Sequence, residues 1–139
     1  MLKISPETYA QICANGEFAY PDEGVGLLLG RHGETRAVSA IIRLQNARED
    51  DARRNRYLVT PQAMLSAERE AEERQLDILG VYHSHPDHPN LPSQFDLEWA
   101  IPWFSYLITT VDSGKALESR SWRLKEDRSA FVEEPVQIG

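Results

Sequence analysis

Gly80-Val81-Tyr82-His83-Ser84-His85-Pro86, continued through Asp87-His88-Pro89-Asn90-Leu91-Pro92 to Ser93-Gln94-Phe95-Asp96, is the stretch that decides the fold. Its first part closes the apolar run Leu76–Tyr82, with Ile78, Leu79 and Val81 at core-like positions, so a buried strand is expected there. The strand delivers two histidines at its end. Pro86 cannot donate to a ladder, so the strand should stop just past them. Residues i and i+2 of a strand project to the same face, roughly 6–7 Å apart along the chain.

Working outward, Ser93 to about Ala100 reads as a short helix stopped by Pro102. Asp96 lies one helical turn after Ser93, so both point the same way. Tyr106–Val111 is a further buried strand, and Asp112–Lys115 a turn. Ser119–Leu124 and Ala130–Glu133 alternate as a final hairpin, with Trp122 and Leu124 on one face and Arg123 on the other. Upstream, Thr60-Pro61 caps a helix with a narrow apolar stripe (Met64, Ala67, Ala71) and a solvated charged face. Tyr57-Leu58-Val59 is a short extended segment. Gln45–Arg56 mixes acids and bases, which favours a solvated loop over a basic ligand patch. Gly24–Gly30 is too short and apolar for a helix and reads as a buried strand. The turn His32-Gly33-Glu34, where His32 is expected to be exposed, joins it to a return strand at Ala37–Leu44.

Ser5-Pro6 starts the first helix. Ile4 and Tyr9 are spaced as a hydrophobic staple. Tyr9, Ile12 and Cys13 share a face, which makes Cys13 a core residue, and the helix should end near Asn15-Gly16. The expected order is α-β-β-α-β-α-β-β-β. That is an α/β sandwich around one mixed, mainly antiparallel sheet flanked by about three helices, in a single domain over residues 1–139.

Bulk properties limit what such a domain does. With 139 residues, 41% hydrophobic and 27% charged, the chain is globular. A net charge of −7 lacks the basic surface a nucleic acid requires. The single cysteine rules out an intramolecular disulfide or a cysteine-built zinc knuckle and suits a reducing compartment. There is no apolar h-region at the start and no run near the ~20 residues of a membrane span. A cytoplasmic location is expected.

Two imidazoles on one strand face can converge on a metal at about 2.0–2.1 Å. A catalytic zinc takes three protein ligands and keeps an open position. Asp96 is the natural third ligand beside His83 and His85. His88, in a Pro-rich loop, would close the site as a fourth ligand and is read instead as a loop or substrate-contacting residue. Each element also has a plainer reading. Two histidines at a strand end can simply be exposed, and Ser93-x-x-Asp96 is also the pattern of a capping box.

The spacing His83-x-His85, seven residues, Ser93, two residues, Asp96 resembles the His-x-His-x7-Ser-x2-Asp signature of the JAMM (MPN-plus) metallopeptidases. Pro21-Asp22-Glu23-Gly24-Val25-Gly26-Leu27-Leu28-Leu29-Gly30 is similar to that family's glutamate placed just before a Gly-Leu-Leu-x-Gly strand. Val25 stands where many members have cysteine. The resemblance implies the MPN (cytidine-deaminase-like) fold. It implies one Zn²⁺ per chain on His83, His85 and Asp96. It implies Glu23 as general base to the attacking water and general acid to the leaving amine, and Ser93 as donor to the oxyanion or orienter of the water. The plainer reading of Glu23 is an exposed turn glutamate.

Only eight residues separate Asp96 from Ser105, and one cysteine leaves little for a second zinc site. The chain therefore resembles the small stand-alone prokaryotic members. The resemblance then implies cleavage at the C-terminal tail of a ubiquitin-like or sulfur-carrier protein. The alternative is a non-catalytic MPN-type scaffold that docks partners.

Overall fold

The computed structural model describes residues 1–47 and 59–139. Tyr57 and Leu58 of the expected extended segment, and most of the Gln45–Arg56 loop, lie outside the described residues, while Val59 packs against the core without being in a strand. The elements in chain order are β1 (Leu2–Ile4), α1 (Pro6–Ala19), β2 (Val25–Arg31), β3 (Arg36–Leu44), α2 (Pro61–Glu73), β4 (Asp77–Pro86), α3 (Gln94–Trp99), β5 (Ser105–Asp112), β6 (Lys115–Leu124), β7 (Phe131–Glu134) and β8 (Val136–Ile138). The strands form one mixed sheet in the order β7-β6-β5-β4-β2-β3-β1-β8.

The α/β reading with a mixed sheet and three helices holds, and the short strands β1 and β8 add to it. Three-residue strands at the chain ends carry too little alternation to register as a pattern. They form because β3 offers an unpaired edge, which β1 takes in parallel, and β8 then pairs with β1. Only Pro135 separates β7 from β8, although they occupy opposite edges of the order. One intervening residue spans at most about 7 Å, so the sheet curls until its edges meet.

That seam is sealed by polar groups. Glu134 is 5% exposed and accepts hydrogen bonds from the Ser105 and Ser121 hydroxyls, both at 2.8 Å. Arg36 donates to Ser105 Oγ and to the Trp103 carbonyl at 2.6 Å each. Replacing Glu134 by alanine would leave two buried hydroxyls without their acceptor, at about 1–3 kcal/mol each. Urea unfolding is therefore expected to show a loss of about 2–6 kcal/mol. The seam lies at the opposite end of the sheet from the histidines, so turnover by the folded fraction should be unchanged.

Apolar side chains fill both faces of the sheet. On one face, Ile12 of α1 packs with Leu2, Ile4, Leu28, Val38, Leu79, Tyr82 and Leu107 of the sheet. Tyr9 packs against this layer, to which Ile4 also belongs. Under α2 lie Val25, Leu27, Leu29, Val81, Tyr106 and Leu124, against Ala67 and Ala71. Both helices begin as expected, with Ser5 and Thr60 capping and proline following.

α1 runs to Ala19 and does not stop at Asn15-Gly16. Gly16 is not a cap. A Cβ there would lie 3.1 Å from Val111 and 3.2 Å from Ser84, so the glycine lets the helix backbone lie directly on the sheet. Gly26 serves a similar purpose on β2, because a Cβ there would collide with the Tyr82 ring. Cys13 is only half-buried, at the rim of the core.

Candidate metal centre

β4 is a central strand, antiparallel to β2 and parallel to β5. The site therefore sits at a strand end within the sheet. A parallel neighbour obliges the chain to cross over between β4 and β5. That crossover, residues 87–104, carries α3 back over the end of β4, and this is what brings Asp96 to the histidines.

Side chains alternate along β4. Val81, His83 and His85 share the α2 face, while Tyr82 and Ser84 point under α1. The His83 and His85 rings lie 5.0 Å apart, centroid to centroid. Asp96 meets both: Oδ1 is 3.6 Å from His83 Nε2, and Oδ2 is 3.3 Å from His85 Nε2. Glu23 reaches the other edge of the His83 ring, with Oε1 3.2 Å from Nδ1. All four side chains are buried. Ligating atoms of Glu23, His83 and His85 also fall within 4.8 Å of one another.

The structure thus brings Glu23, His83, His85, Ser93 and Asp96 together. Ser93 caps α3 and forms a reciprocal box with Asp96. The Asp96 N–H donates to Ser93 Oγ at 3.0 Å, and the Ser93 N–H donates to Asp96 Oδ2 at 2.8 Å. The capping box and the site are the same object, because the box aims the carboxylate at the histidines. Glu23 is 2% exposed, so the plain turn-glutamate reading fails. His88 is exposed and lines an open cavity of about 470 Å³ together with Glu23, His85, Pro89, Leu91 and Ser93. His32 is exposed, as expected at its turn.

Sequence reasoning missed Pro89. Its carbonyl lies 2.8 Å from His85 Nδ1. A carbonyl only accepts, so Nδ1 carries a proton and Nε2 is the nitrogen turned toward Asp96. No local pattern marks such a backbone contact.

The electrostatics follow from burial among carboxylates. Burial alone would lower the His83 pKa, but Asp96 and Glu23 outweigh it and hold it above the ordinary value. Burial works the other way on Asp96. There His83, His85 and the Ser93 N–H prevail and hold the carboxyl well below its usual range.

An Asp96 oxygen thus faces a ring nitrogen of each histidine. Two acceptors at 3.3 Å repel unless a proton or a cation lies between them. Two ligand atoms about 2.0–2.1 Å from one tetrahedral ion stand roughly 3.3–3.4 Å apart, close to the separations seen here. Glu23, His83 and His85 form a set compatible with a metal ion. Glu23 and Asp96 approach opposite edges of the His83 ring, so one ion cannot use both carboxylates through that ring.

A curled mixed sheet with a helix on each face, and a histidine–carboxylate cluster at the end of its middle strand, defines a small α/β protein with a candidate metal centre. Residues 5–125 match the family of prokaryotic homologs of the JAB domain, and the chain belongs to that family.

It is 38% identical over 99 residues to a probable TtuB-protein conjugate cleaving protease of Thermus thermophilus, a match covering 69% of this chain and 61% of that protein. It is 28% identical over 123 residues to a desampylase of Pyrococcus furiosus, covering 88% and 81%. A solution structure of a Desulfitobacterium hafniense protein superposes with a TM-score of 0.86 at 28% identity, covering 100% of this chain and 93% of that one. Among the described residues, no helix is long and apolar enough to cross a membrane.

Proposed function

We propose that this chain, as one domain over residues 1–139, is a zinc-dependent cytoplasmic peptidase that hydrolyses a peptide or isopeptide bond at the C-terminal tail of a ubiquitin-like or sulfur-carrier protein. The observation that carries this reading is the meeting of His83, His85, Asp96 and Glu23, two of which, Glu23 and His85, line an open cavity. His83, His85 and Asp96 would hold the ion. When bound, zinc supplies Lewis acidity and lowers the pKa of its water to about 7.

The chain's own residues do the rest. Glu23 stands beside the ligands and is not one of them in this reading, so its carboxylate is available to take a proton from the attacking water. It then passes that proton to the departing amine. Ser93 Oγ already accepts the Asp96 N–H, which leaves its hydroxyl proton to donate to the oxygen that becomes negative at the scissile carbonyl. Pro89 keeps His85 in the tautomer that presents Nε2. His88, Leu91 and Phe95 form the cavity wall against which substrate lies.

The substrate class is supported by the names of the relatives, one for cleaving TtuB-protein conjugates and others for desampylation. A Gly-Gly tail has no side chains to clash in such a cavity and can lie there extended. The test uses a fluorescent peptide whose lysine ε-amine is joined to a ubiquitin-like protein ending in Gly-Gly. Zinc-loaded protein is expected to release the peptide, and 1,10-phenanthroline to stop it. A purified protein that binds no zinc and cuts nothing would instead be a docking scaffold.

A further inference from the structure

We infer that Ser84, between the two histidines, is a positioning residue that fixes the Glu23 carboxylate through the Gly24 peptide. This rests on the proposed role of Glu23. The strand alternation sends Ser84 under α1, away from the cavity, so its hydroxyl touches neither metal nor substrate. It is nonetheless 2% exposed, a placement that is unfavourable for a hydroxyl without a partner.

Its partner is the backbone next to Glu23. The Gly24 N–H donates to Ser84 Oγ at 2.8 Å, and the Ser84 N–H donates to the Gly24 carbonyl at 3.0 Å. The β2–β4 ladder therefore extends one residue beyond the Val25–His83 pair, with a side-chain hydroxyl in one of its two bonds.

The surroundings leave this peptide little alternative. A Cβ on Gly24 would lie 3.2 Å from both Ala19 Cβ and the Asn15 carbonyl, so the residue is held between the last turns of α1 and Ser84. Gly16, bare of a side chain, lets Ser84 sit against the helix. Two further contacts hold the same loop. Asn46 donates to the Glu23 carbonyl at 3.2 Å, and the Tyr20 hydroxyl donates to Asp87 at 2.6 Å.

Of these contacts, only the Ser84 hydroxyl acts on the peptide that follows Glu23 from within the strand bearing the histidines. One short strand thus aims His83 and His85 with its upper face and Glu23 with its lower face. A shift of about 1 Å in a proton-transfer group costs up to about 10²-fold in rate.

The test is Ser84→Ala, with Ser84→Thr retaining the oxygen. In Ser84→Ala, hydrogen exchange at the Gly24 amide is expected to accelerate while the amides of Leu27 and Leu28 stay protected. Zinc should remain at one per chain. The kcat on the Gly-Gly isopeptide should fall about 10–100-fold with little change in KM. In a Glu23→Gln background, assayed with enzyme in excess, Ser84→Ala should have no further effect, because the group it positions is gone.

Equal losses in both backgrounds would indicate a general structural role and overturn the inference, as would an unchanged Gly24 exchange rate. Ser84→Thr should restore Gly24 protection; if it folds poorly, the Ser84→Ala exchange and the cycle still decide. If the wild-type protein cleaves no isopeptide, the functional reading fails. The Gly24 exchange then still decides whether Ser84 holds this loop.

Discussion

Replacing Glu23 by glutamine is expected to lower kcat on the Gly-Gly isopeptide by about 10²–10⁴-fold, the usual contribution of a positioned acid–base group. Bound zinc should stay at one per chain. The reasoning is geometric. Glutamine keeps the volume and one acceptor oxygen, so the buried pocket beside His83 remains filled, but it cannot accept and return a proton. Asp96, not Glu23, faces His83 Nε2 and His85 Nε2, so no ligand is removed.

The experiment also separates two ligand sets. Glu23, His83 and His85 can approach one another closely enough to bind an ion without Asp96. Were that the binding set, Glu23→Gln would release zinc and Asp96→Asn would retain it. The opposite pattern is expected. Metal content by atomic emission, measured beside kcat for both variants, decides between them.

The second large effect is His85→Ala, which should abolish both zinc binding and turnover. Removing an outer-shell partner of a metal ligand already costs about 10–100-fold in affinity, and losing the ligand itself should cost more. Two ligands would remain, His83 and Asp96, and the Pro89 carbonyl would lose the imidazole it holds. Zinc binding to the folded wild type should raise its melting temperature by mass action. In His85→Ala that rise, and its reversal by chelator, should disappear. A variant that kept full zinc occupancy and activity would remove His85 from the centre.

Much of this arrangement could be read along the chain, because it depends on local rules. Strand alternation placed His83 and His85 on one face, and Pro86 ended the strand. The Ser93–Asp96 spacing marked a helix start, and the Ser-Pro and Thr-Pro pairs marked the other two. Errors arose where a local signal had a tertiary cause. Asn15-Gly16 looked like a helix end, but Gly16 is small because the helix lies directly on Ser84 and Val111. The three-residue strands β1 and β8 carry no readable pattern and exist because the β3 edge pairs with them in turn.

The burial of Glu23 could not be read locally, since Pro21-Asp22-Glu23 has the composition of an exposed turn. Only its resemblance to a family motif singled it out.

The sequence alone determined which side chains could serve the centre: the two imidazoles, the capped carboxylate and the glutamate ahead of the glycine-bounded strand. It did so because period-two and helix-cap geometry act over a few residues. The tertiary structure decided how they meet. The antiparallel β2–β4 pairing carries Glu23 across to His83. The parallel β4–β5 step forces the crossover that lowers Asp96 onto the histidines. The Pro89 carbonyl selects the His85 tautomer, and Ser84, on the hidden face, grips the peptide beside Glu23. Those relations join residues distant in sequence, or pass through backbone atoms that every residue shares. No local pattern encodes them.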